Sequence, residues 1–212
     1  MPGSIKIDDG SGNYTILTNA GSLGSDKTIT IPNETATLAT TTASNLGGLV
    51  YINSGTFSST SQLVVQNVFT STYKDYKVFI QVTDNSGDNS ESGMRLYASG
   101  DITANYISQR LDAQGSSAGA AKDVLGTDEW DMTQLDQTYT YGAFIEVHLR
   151  SPQEAAVTHM FMQGTGNYGA NALYTKASAG VHTGTDQADG FSYRPTVGTI
   201  TGNWKVYGLV DS

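Results

Sequence analysis

Four carboxylates, Asp128, Glu129, Asp131 and Asp136, surround Trp130 in the stretch TDEWDMTQLD. Two carboxylates flanking a sugar are the machinery of a glycosidase, and an aromatic platform among acids also describes a sugar-binding loop. Tyr139 and Tyr141 follow closely, so the three rings could stack on a glycan together. The plainer reading is an interface loop with Trp130 as its buried anchor, because interfaces favour Trp and Tyr. That reading is preferred. Trp130, Tyr139 and Tyr141 are therefore candidate interface or glycan contacts, and hydrolysis is the smallest part of what remains.

The other reactive groups point less far. His148, His159 and His182 are the only histidines, and all three fall on expected strands. A zinc site needs ligands converging on one point, and neither an HxH nor an HExxH spacing is present. Glu146 shares a strand face with His148, which makes a weak pair; ordinary strand packing is the expected role. Asp84-Asn85-Ser86-Gly87-Asp88-Asn89 places oxygens at alternating positions, as a calcium loop does. Asn89 stands where that loop needs Gly, and Arg95 where it needs the closing Glu, so an Asx-rich turn is expected instead. There is no GxSxG elbow. GTGNYG at Gly164–Gly169 precedes a strand rather than a helix, which fails the context of a dinucleotide-binding turn. No catalytic residue, metal ligand or cofactor is assigned, and the chain is read as not an enzyme.

The elements that must position these residues are strands. Tyr76–Thr83 is the clearest: Tyr76, Val78, Ile80 and Val82 alternate with Lys77, Gln81 and Thr83, the period of two that turns one face inward. Phe79 interrupts the polar face, which predicts that this face is partly covered too. Ala143–Arg150, Val157–Gln163 and Asn203–Val210 have the same character. Short strands, frequent turns and no helical period predict an all-β fold, an antiparallel jelly-roll-like β-sandwich over residues 49–212. Asp112–Gly142 reads as a long functional or interface loop, Asp84–Ser92 as a polar turn or hairpin loop, and Gly164–Ala170 as a Gly-rich turn.

Composition narrows the partners. The chain has 212 residues with 11 Lys and Arg against 20 Asp and Glu, a net charge of -9. Such a surface repels phosphate backbones, so no nucleic-acid binding is expected. No apolar run approaches the ~20 residues that cross a bilayer, so membrane insertion is not expected either. There is no cysteine, which rules out disulfides and thiolate metal sites. Residues 1–12 carry neither a basic nor an apolar signal region. Leaving the cell inside a virus particle is one route that needs none.

Residues 1–42 differ from the rest. IKI at Ile5–Ile7, YTIL at Tyr14–Leu17, TITI at Thr28–Ile31 and TATLA at Thr35–Ala39 are short strands separated by Gly/Asn turns. Apolar residues are too sparse for this segment to stand alone, which predicts an N-terminal extended β arm that packs on other chains. Residues 43–48 form a linker. Thr28–Thr40, TITIPNETATLAT, resembles a phrase of tailed-bacteriophage fibre and virion surface proteins, where such strands punctuate slender trimeric structures. The preceding Ile5–Lys27 is similar material, and NWKVYGLV resembles the closing strand of phage jelly-roll-like domains. The resemblance covers about the first 40 residues well and the remainder in style.

That resemblance implies a non-enzymatic structural protein on the virion surface. The arm, with Ile29, Ile31 and Leu38 as attachment points, would hold other virion proteins or sister chains, and the sandwich would project outward as a homotrimer. Tail fibre, fibre tip and capsid decoration all remain open. The alternative is a glycan-binding module recognising a host surface glycan, and the two roles can coexist.

Overall fold

A computed structural model of the chain describes residues 4–8, 14–18, 48–88, 90–122, 128–136, 142–168 and 172–209. The chain divides into two compact units, residues 1–41 and 42–212. In the first, β1 (Ser4–Asp8) and β2 (Tyr14–Thr18) pair antiparallel, with Ile5 opposite Leu17 and Ile7 opposite Thr15. These are the expected IKI and YTIL strands. Ile29, Ile31 and Leu38 lie outside the described residues.

The described residues of the second unit form twelve strands. They are β3 (Leu49–Thr60), β4 (Leu63–Val65), β5 (Asp75–Asn85), β6 (Ser90–Tyr97), β7 (Tyr106–Gln114), β8 (Ser117–Lys122), β9 (Trp130–Leu135), β10 (Ala143–Arg150), β11 (Thr158–Tyr168), β12 (Ala172–His182), β13 (Gly190–Pro195) and β14 (Ile200–Leu209). Eight of them form one sheet in the order β3-β14-β5-β10-β11-β12-β7-β8, and four form a second in the order β4-β13-β6-β9. All ladders are antiparallel. The all-β sandwich expected from the sequence is the fold that forms.

The pairing is nested. The outermost strands β3 and β14 pair, then β4 with β13, β5 with β10, and β6 with β9. Successive members of this series alternate between the two sheets. Two hairpins interrupt it, β7–β8 and β11–β12, and they widen the large sheet through the β12–β7 ladder.

The core lies between the sheets. In β10 Ala143, Ile145, Val147 and Leu149 are buried, and the residues between them face out. This is the period of two that the sequence displays. Tyr76, Val78, Ile80 and Val82 of β5 are buried alongside. The small sheet contributes Met94, Leu96, Met132, Phe191 and Tyr193, all fully buried. Aromatic contacts cross the gap: Phe191 meets Trp204 edge to face at 6.4 Å, and Tyr106 meets Trp130 at 5.0 Å.

Three expectations about connections need correction. Residues 112–142 are not one open loop, because β8 and β9 lie within them. The stretch Asp84–Ser92 is not a hairpin loop: β5 and β6 belong to different sheets, so it crosses between them. There Ser86 accepts from the Thr199 amide at 2.8 Å and Asn85 donates to the Gly87 carbonyl at 3.1 Å. Gly164 and Gly166 are strand residues of β11 rather than turn residues. A Cβ on Gly166 would collide with the Gln134 carbonyl oxygen of β9, so the sheets approach too closely there for any side chain.

Candidate functional site: the outer face of the large sheet

Trp130 opens β9 and has no exposed surface. Its ring packs on Tyr106, and its Nε1 donates to the Val181 carbonyl at 3.3 Å. It therefore presents no face to a sugar or to a second chain, which corrects its assignment as a glycan or interface contact. It is an anchor, but of this chain's own core. Tyr139 and Tyr141 lie outside the described residues.

The acids around Trp130 are held by cations. Asp128 pairs with Arg95 and Arg194, and Glu129 pairs with the same two guanidinium groups at 3.5 and 2.8 Å. Asp131 accepts from Arg110 and from Lys176, the latter at 2.6 Å. The Lys176 side chain is 1% exposed, so this ion pair sits in a low-dielectric setting. Beside it, the Tyr174 hydroxyl donates to Asp112 at 3.1 Å, and burial together with that carboxylate pushes its pKa up. Asp136 is buried. Asp128, Glu129 and Asp131 thus serve as partners for Arg and Lys from β6, β7, β12 and β13, instead of facing one another around a substrate.

The histidines also separate. His148 and Glu146 share the outer face of β10, but Glu146 pairs with Lys77 at 2.5 Å and His148 Nε2 lies 3.4 Å from Asp75. His159 is exposed on β11. His182 ends β12 fully buried, its ring 4.8 Å from Tyr106. Neither of its nitrogens makes a well-formed hydrogen bond; the Ala104 backbone is beside it, and Asp186 is 3.9 Å from Nε2. No group of three His, Cys, Asp or Glu side chains among the described residues is placed to hold a metal ion.

Burial holds the His182 pKa below its ordinary 6.5, against the opposing pull of Asp186. The unfolded chain then binds a proton that the folded chain refuses. Stability is full above about 6.5 and is lost as the pH falls through the folded value. Urea midpoints at pH 7.5 and 5.5 check this. The parent should lose more stability between those values than His182→Gln does; equal losses in both would refute it.

What remains outward-facing on the large sheet is unusual. A strand with a solvated face normally carries polar residues there. Here Phe79, Phe144, Phe161 and Tyr207 occupy such positions, and Phe144 and Phe161 are 47% and 49% exposed. Phe79 stacks on Phe144 at 6.1 Å and meets Tyr207 edge to face at 5.8 Å; Tyr51 continues the row from β3. Between these rings stand Gln81, Asn203 and Lys205, with Asn203 donating to Gln81 at 3.1 Å. They line a depression of about 280 Å3.

The other half of this face is made of small residues. Registers bring Thr165, Thr175, Ala113 and Ala118 into one cross-strand row, and Gln163, Ala177, Leu111 and Ala120 into the next. A trough of about 650 Å3 runs between Phe144 and Leu111, and a second of about 510 Å3 lies beyond Leu111 toward Phe161. The sequence carried a signal for this surface. Phe79 and Phe144 are large apolar residues at the polar positions of alternating strands. Phe161 stands at such a position too, on Val157–Gln163, whereas Leu111 was harder to place because the strand around it is less regular.

The fold and this surface define a β-sandwich whose distinctive exposed feature is one apolar sheet face. Comparison with protein-family models, with curated proteins and with solved structures gives no match.

Proposed function

We propose that the chain is a non-enzymatic structural protein of a tailed-phage virion. Residues 1–42 attach to the particle or to sister chains, and the sandwich projects as a homo-oligomer, a trimer on the pattern that TITIPNETATLAT resembles. The observation that supports this reading best is the nested pairing of four strand pairs across two sheets. Such nesting resembles the winding of jelly rolls, which viral capsid and lectin domains use. Fold and function are linked here by analogy, and the exposed apolar sheet face adds an independent reason to expect association.

Light scattering on the full chain and on residues 49–212 tests it. The full chain should have a multiple of the 22.4 kDa chain mass, and the shorter one should lose part or all of the association. A monomer in both removes the assembly role.

A second reading, saccharide binding, is favoured by one arrangement. Tyr207, Phe79 and Phe144 alternate with Gln81, Asn203 and Lys205 around one depression. Ring faces suit the C–H face of a sugar, and amides suit its hydroxyls. Saturation-transfer NMR with soluble neutral oligosaccharides should give signal that Tyr207→Ala removes. No transfer from any of them to the parent chain sinks this reading.

A further inference from the structure

We propose that the small-residue half of the large sheet's outer face, formed by β11, β12, β7 and β8, is the surface by which a second copy of this chain docks. This deepens the assembly reading and rests on it: identical faces meeting one another make a two-fold contact, which joins chains or trimers in pairs.

Charge is the first argument. The chain carries a net -9, so two copies repel unless they meet where neither is charged. The outward positions among residues 159–165 of β11, 173–181 of β12, 107–113 of β7 and 118–120 of β8 include no Asp, Glu, Lys or Arg; the next register position of β8, opposite Gln109 at the strand's far end, is Lys122. The nearby Arg110, Asp112 and Lys176 point inward, to Asp131 and Tyr174. At the border with the aromatic half, Lys77 and Glu146 neutralise each other. An acidic or basic partner would find no opposite charge here, whereas an identical uncharged face meets no repulsion.

Shape and size agree. Thr175, Ala177, Ala113 and Ala118 are short enough for two sheets to approach to the ~10 Å of face-to-face packing. Leu111 and Leu173 rise from them, 65% and 61% exposed, and Phe161 flanks the troughs at 49%. Four strands about 4.8 Å apart and roughly nine residues long cover roughly 600 Å2 per copy. Burying both faces removes about 1,200 Å2, the lower end of what a specific interface needs. The backbone of a sheet face is already spent in its ladders, so a single peptide strand gains nothing here and would seek an edge instead.

The test is the light-scattering mass of the full chain carrying Leu111→Glu with Phe161→Glu. Both side chains are exposed, so the fold should survive, which an unchanged circular dichroism spectrum and melting curve would establish. The parent should be a multiple of 22.4 kDa, and the double variant should dissociate at least tenfold more readily. Tyr51→Glu, on the opposite half of the face and 56% exposed, should leave the mass unchanged. A double variant as assembled as the parent overturns this surface but leaves the assembly reading standing. Dissociation by Tyr51→Glu as well also overturns it, since added charge anywhere would then suffice. A parent that is monomeric at every concentration overturns both.

Discussion

Trp130→Ala should cost about 3–5 kcal/mol of stability and lower the melting midpoint by about 10 °C. The ring is fully buried, touches Tyr106, and ties β9 of the small sheet to β12 through the Val181 carbonyl. Truncation removes one of the largest side chains in the core and opens a cavity between the two sheets. Thermal unfolding followed by circular dichroism measures it. A loss under about 1 kcal/mol would place the ring at the surface, as a sugar platform or a contact between chains would require. The sign of the answer therefore separates two roles that the sequence left side by side.

Asp131→Asn should be of similar size, about 3–5 kcal/mol, although it changes little in volume. The carboxylate faces two cations, Arg110 and Lys176, and the lysine side chain is almost wholly buried. Without the negative charge, Arg110 and Lys176 both lose an ion-pair partner in a low-dielectric site. Asp131→Asn combined with Lys176→Met should recover much of the loss, because the pair is then removed together. If the double variant is as unstable as the sum of its parts, Asp131 and Lys176 act independently and the coupling claimed here is wrong. Chemical denaturation of the four proteins at neutral pH decides it.

Much of the sandwich was legible because its core strands alternate cleanly. Tyr76, Val78, Ile80 and Val82 signal their face without help from any other segment, and Ala143–Arg150 was read with the observed limits. β8 was not legible, since Ser117–Lys122 holds only small residues until its last position. β9 was hidden by chemistry. Its acids look like a polar loop until Arg95, Arg110, Lys176 and Arg194 arrive from distant parts of the chain. Gly164 and Gly166 read as a turn for a related reason: what demands glycine at 166 is the Gln134 carbonyl of a strand about 30 residues earlier. Of the candidate site, Phe79 announced the apolar character of the face, but the uncharged character of the other half depends on register. A one-residue slip would turn Arg110, Asp112 and Lys176 outward.

The nested winding also sets a timetable. β3 and β14 are the first and last strands of the sandwich, and the Ser59 amide donates to Thr201, 142 residues further on. β14 also lies between β3 and β5, so until it is present β3 lacks the strand it pairs with and β5 is paired only with β10. Contacts so remote in sequence place folding at the slow end, on the order of milliseconds to seconds. Until β14 has been made, the large sheet stays open along β5, with the backbone N–H and C=O groups of that edge unpaired. A nascent chain is thus aggregation-prone along that edge until β14 has been made, and a stop codon ahead of Ile200 leaves a product whose large sheet stays open.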